Sequence, residues 1–96
     1  MKRVYIAGKV TGLPFTGVVK KFAQAQSEIE DLGFIAVKPI TVVNDSGCDW
    51  NKAMKLCINA LLECDAIIML PCWRESKGAL LEMNIAINFG MEIMFM

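Results

Sequence analysis

The chain contains no histidine. Its four cysteines, Cys48, Cys57, Cys64 and Cys72, are far apart and form no CxxC pair, so the ligand spacing of a zinc site is absent and no metal or other cofactor is expected. An excess of charge of one sign is also lacking: ten Lys and Arg balance ten Asp and Glu. With no basic footprint beyond the Lys2–Arg3 and Lys20–Lys21 doublets, neither a nucleic-acid polymer nor an anionic membrane is an expected partner. No apolar run approaches the roughly 20 residues of a membrane span, and the few apolar residues before Gly8 are too short for a secretory signal. These absences lead to the expectation of a cytoplasmic protein with reduced thiols that recognises a small molecule.

What is present is an apolar chain of 96 residues, 55% hydrophobic and 21% charged, which reads as a single domain (residues 1–96) with more apolar surface than a small monomer needs. The organising stretch is 64–86, CDAIIMLPCWRESKGALLEMNIA, where a short apolar strand stops at Pro71 and a helix follows from Ser76 towards Gly90. Further strands are predicted over 3–7, 34–37 and 92–96. Between them, Val18, Phe22, Ala25, Ile29 and Leu32 recur at helical spacing up to a Gly33 stop, and Asp49 is placed to cap a helix carrying Met54, Cys57, Ile58, Leu61 and Leu62. Residues 8–17 and 40–49 read as loops. Short connections between alternating strands and helices demand parallel strands with right-handed crossovers. The predicted fold is a small α/β three-layer sandwich, flavodoxin-like or Rossmann-like, with a four-stranded parallel sheet in the order 2-1-3-4.

Chemistry concentrates beyond the third strand. Glu82 stands among Ala79, Leu80, Leu81, Met83, Ile85, Ala86, Ile87 and Phe89, on a helix that reads as buried almost all round. It is either a partly exposed residue on a narrow polar stripe or a desolvated nucleophile or base. Ser76 reads as an N-cap, and Gly78, unfavourable in a first helical turn, suggests close approach of a ligand or another backbone. Together with the helix N-terminal amides these two would suit a phosphate, about 9 Å along the axis from Glu82. Tyr5 is either core or a hydroxyl that holds a carboxylate. Trp50 and Trp73 either stack a base or roof the core, and Asp65 reads as a cap or turn residue.

YIAG at residues 5–8, CDAIIMLPCW at 64–73 and SKGALLE at 76–82, in that order, resemble the nucleoside 2-deoxyribosyltransferase superfamily, and within it the small branch called DUF4406. The resemblance implies an oligomer with sites near a subunit interface, and cleavage of the N-glycosidic bond of a deoxynucleoside or its 5′-monophosphate by hydrolysis or transfer. It further implies Glu82 as the nucleophile that forms a covalent deoxyribosyl intermediate, Tyr5 as the group that orients it, Ser76 as a phosphate contact, and Gly8 and Gly78 as backbone positions lining the site. Cys57 stands where the family usually carries an aspartate. That departure motivates an alternative, a nucleotide-binding or sensing module that kept the fold and lost turnover. The apolar edge strand at 92–96 and the outer face of the last helix, including Leu80 and Ile87, lead to the expectation of a homodimer or larger closed oligomer.

Overall fold

The computed structural model describes residues 2–10, 12–39 and 49–96. Among them the chain forms β1 (Arg3–Ala7), α1 (Phe15–Asp31), β2 (Ile35–Val37), α2 (Trp50–Leu62), β3 (Ala66–Met69), a 3-10 turn at Trp73–Glu75, α3 (Lys77–Asn88) and β4 (Glu92–Phe95). All four strands are parallel in the order β2-β1-β3-β4, as expected. The central strands are the apolar ones: Val4 to Ala7 and all four residues of β3 are buried, whereas the edge strands β2 and β4 stay partly exposed. Asp65 joins the two central strands at their start, its carboxylate accepting the Arg3 N–H at 2.9 Å.

Side chains alternate across a strand, and this sorts the core into two halves. Val4, Ile6, Ala66, Ile68 and Leu70 pack with Val18, Phe22, Ala25 and Ile29 of α1 on one face. Tyr5, Ala7, Ile67 and Met69 pack with Cys57 and Leu61 of α2 and with Ala79 and Ala86 of α3 on the other. The result is the expected layering of helices on both sides of a sheet. No described helix is long and apolar enough to cross a membrane.

Three boundaries or faces differ from expectation. The first helix begins at Phe15 behind Pro14, so Gly17 lies in its first turn and not in the preceding loop. Apolar periodicity marks where a helix is buried, and this first turn is exposed. Leu32, expected on the buried face, is 70% exposed, because the chain leaves the helix there through Gly33 at a φ of 86°. The third helix is not buried almost all round: its buried residues are Ala79, Glu82 and Ala86, while Leu80, Leu81 and Ile87 face outward. One sheet face covers one stripe of a helix. The turn expected over 40–48 lies outside the described residues.

The corrected start of α1 is testable with Gly17→Ala. Among the described residues a Cβ there meets nothing within 4 Å, so alanine in a helical turn should raise stability by about 0.5–1 kcal/mol in urea denaturation. An unchanged or lower midpoint would return residues 15–17 to the loop.

Candidate active site

The parity of β1 puts Tyr5 on the same face as α3, and spacings of three and four put Ala79, Glu82 and Ala86 on one helical stripe. Two alanines leave the room that a carboxylate and a phenol need to meet. Glu82, 4% exposed, is the single buried charged residue among those described. The hydroxyl of the fully buried Tyr5 donates a hydrogen bond to Glu82 Oε2. Cys57 of α2 interacts with the same hydroxyl from the neighbouring helix. Of the two readings open for Glu82, the partly exposed one is overturned. For Tyr5 both hold at once: it is the middle residue of β1, packed in the core, and its hydroxyl holds a carboxylate.

Burial dominates the electrostatics. Desolvation lifts the Glu82 carboxyl from 4.5 to about 7, against the Tyr5 hydrogen bond, which favours the ionised form. Desolvation first, and the neighbouring Glu82 charge second, push the Tyr5 phenol far above its ordinary range. Tyr5 therefore keeps its proton and acts as a donor, while Glu82 is poised between acid and carboxylate near neutral pH. A group balanced in this way has the protonation behaviour that a base or nucleophile needs, without a histidine.

The other residues singled out from the sequence fall into separate settings. The Ser76 hydroxyl caps α3, accepting the Ala79 N–H at 3.1 Å. A Cβ on Gly78 would lie 3.0 Å from Met54 Sδ, and one on Gly8 would lie 2.9 Å from Leu70 Cδ1. Each glycine thus admits a neighbouring side chain: Gly78 lets α2 approach α3, and Gly8 lets the chain past β3 cross the end of β1. Trp50 opens α2, and the Lys77 ammonium sits 4.4 Å from its ring centroid, linking the N-termini of α2 and α3. Trp73 instead packs on Phe95 at 5.9 Å, tilted by 50°, with the Arg74 guanidinium 5.2 Å from its ring. The two tryptophans thus have different neighbours, Trp50 on α3 and Trp73 on β4.

One arrangement escaped the sequence altogether. Cys72 Sγ accepts hydrogen bonds from the Lys9 N–H at 3.3 Å and from Lys21 Nζ at 3.1 Å, and Lys21 Nζ also donates to the Lys9 carbonyl at 2.8 Å. These residues come from three separate elements, and no spacing along the chain announces them. Among the described residues, no cluster of three or more His, Cys, Asp or Glu side chains is placed to hold a metal ion.

Fold and site together define a small parallel α/β protein with a buried glutamate–tyrosine pair between its sheet and its third helix. The chain belongs to the family described as Domain of unknown function (DUF4406), whose model matches residues 2–95. Comparison with curated proteins gives no match.

The raised Glu82 value has a consequence for stability. Between about pH 4.5 and 7 the folded chain binds more protons at this group than the unfolded chain, so its contribution falls as pH rises through that window. A shift from 4.5 to about 7 corresponds to roughly 3 kcal/mol lost above pH 7. Glu82→Gln keeps the volume and the acceptor and removes the titration. The stability of Glu82→Gln relative to wild type, from urea denaturation across pH 4 to 8, should therefore climb with pH by up to about 3 kcal/mol. A flat difference would show that the carboxyl titrates normally.

Proposed function

We propose that the chain is an enzyme that cleaves the N-glycosidic bond of a deoxynucleoside or its 5′-monophosphate, with Glu82 as the nucleophile. The observation that carries this reading is the buried, Tyr5-bonded Glu82 carboxyl with its pKa near 7. The resemblance of YIAG, CDAIIMLPCW and SKGALLE to the nucleoside 2-deoxyribosyltransferase superfamily supports the choice of substrate class.

Tyr5 fixes Oε2 by hydrogen bonding, which leaves Oε1 for the anomeric carbon. In the first step the Oε1–carbon bond forms as the carbon–nitrogen bond breaks, through an oxocarbenium-like transition state, and the base departs with the electron pair and is protonated by water. A second nucleophile, water for hydrolysis or another base for transfer, then releases the sugar. The Tyr5 donor favours the ionised glutamate before attack and yields as the ester forms, so it orients the nucleophile more than it activates it. Ser76 and the N-terminal amides of α3 are the groups suited to a 5′-phosphate, and Trp50, beside them through Lys77, is suited to stack on a base.

Incubation with a panel of deoxynucleosides and their monophosphates should release free base, detected chromatographically, and Glu82→Ala should abolish the release. Tyr5→Phe should lower kcat by about 10- to 100-fold, the worth of a hydrogen bond to a charged group. It should also move the alkaline-going rise of the rate to higher pH, because the one interaction that favours the carboxylate is gone. Absence of release from every member of the panel would sink the enzymatic reading.

A second reading has its own observation. Glu82 has no second buried carboxylate beside it among the described residues, and a thiol, Cys57, stands against Tyr5. Such a set of groups suits a nucleotide-binding module without turnover. Calorimetric binding of a monophosphate with no base released would select it.

The same reading takes the protein to be cytoplasmic and to work as a homodimer or larger closed oligomer with α3 at the interface. Its support is the outward row of Leu80, Leu81 and Ile87 on α3 together with the exposed Phe95 on the edge strand β4. Light scattering at micromolar concentration should give at least twice the monomer mass, and Leu80→Asp should reduce it to one. A monomeric wild type would overturn the assembly.

A further inference from the structure

The sheet face opposite Glu82 carries a second chemically competent group. Cys72 follows β3 and packs against the α1 half of the core. It is partly exposed and borders an open cavity of about 400 Å³ together with Lys21, Gln24, Glu28, Leu70 and Met96. Its sulfur accepts two donors at once, the Lys9 N–H and the Lys21 ammonium, and the ammonium is itself held by the Lys9 carbonyl. A sulfur clasped by a cation and a backbone amide is arranged for negative charge. The other two described thiols differ: Cys57 and Cys64 are buried in the opposite half of the core.

We propose that Cys72 is a nucleophilic thiolate and a modification site for small electrophiles, with peroxides as the class it takes, the Lys21 ammonium beside it and the cavity admitting the reagent. The sulfur attacks the terminal oxygen of a hydroperoxide. The S–O bond forms as the O–O bond breaks, and the leaving oxygen departs with the electron pair and takes a proton from Lys21, which regains one from water. Cys72 is oxidised to sulfenic acid and the peroxide is reduced to an alcohol or water. This site is independent of the glycosidic reading, because α1 and the far face of the sheet build it.

The charged groups around the sulfur agree with this assignment. Burial works against the thiolate, but the Lys9 N–H and the Lys21 ammonium together outweigh it and lower the Cys72 pKa below the ordinary thiol value. Among the described residues, Glu28, two helical turns from Lys21 on α1, is the one carboxylate side chain lining the cavity, and it is not among the groups that shift the Cys72 thiol.

The test is alkylation by iodoacetamide at pH 5 to 9, with each cysteine quantified by peptide mass spectrometry beside an unstructured peptide thiol. Each unit of lowered pKa multiplies the thiolate at pH 6 by about ten, and the lost intrinsic nucleophilicity returns about a factor of three. Cys72 should then react about threefold faster than the peptide for each such unit, with its pH midpoint below about 8.5. Lys21→Met should move that midpoint up towards the peptide value, and Lys21→Arg, which keeps a cation, should largely retain the wild-type midpoint. Dilute hydrogen peroxide should convert Cys72 to a species trapped by dimedone or recovered as a mixed disulfide. A Cys72 midpoint equal to the peptide value, or oxidation by peroxide no faster than that of the peptide, would overturn the proposal in the wild-type protein itself, whatever becomes of the variants.

Discussion

The constraint on which the rest of this structure depends is the burial of one carboxyl group against one phenol. A carboxylate removed from water is tolerated only with a hydrogen-bond donor and a neutral alternative within reach. Glu82 has both: the Tyr5 hydroxyl holds Oε2, and the raised pKa lets the group take up a proton when nothing compensates its charge. The alanines at 79 and 86 keep the helix close enough to the sheet for the bond to form. The arrangement opposes stability at neutral pH, and a fold of this size has little stability to spare. Such a cost is common where a group is kept reactive.

The sheet divides this chemistry into two compartments. Residues of odd number in β1 and β3 look towards α2 and α3, those of even number towards α1. Tyr5 and Glu82 thus meet on one side, and Cys72 meets Lys21 on the other. At the carboxyl ends of the paired strands β1 and β3, the Leu70 N–H bonds the Ala7 carbonyl at 2.9 Å and Gly8 makes way for the Leu70 side chain. Ligand chemistry beyond strand ends is a general property of open parallel sheets. Here the turn after β3 serves both faces, carrying Cys72 towards α1 and Ser76 to the start of α3.

The third helix shows how a hydrophobic composition misleads when read without neighbours. Its sequence is apolar nearly all round, yet the structure buries the carboxylate and turns Leu80, Leu81 and Ile87 outward. A single sheet covers a stripe of roughly 100°, and the residues left over stay exposed among the described residues.

Composition and periodicity were sufficient for the architecture. The strand runs at 3–7 and 65–70, the 3.6-residue recurrences of Phe22, Ala25 and Ile29, and the caps at Asp49 and Ser76 are local properties, and short-range sterics and hydrogen bonding determine them. Parallel pairing in the order β2-β1-β3-β4 followed from connection length and handedness. The candidate pair was readable only in part: Glu82 stood out as a charge among apolar neighbours, but Tyr5 remained equally a core residue. Only the tertiary structure decided that they touch, that Cys57 joins them and that Lys21 reaches Cys72 across 51 positions. The same holds for the glycines, since the atoms that a Cβ at Gly8 or Gly78 would crowd belong to Leu70 and Met54. The physical reason is range: propensity and periodicity act within a few residues of the chain, whereas desolvation and close contact depend on which distant side chains the packing brings together.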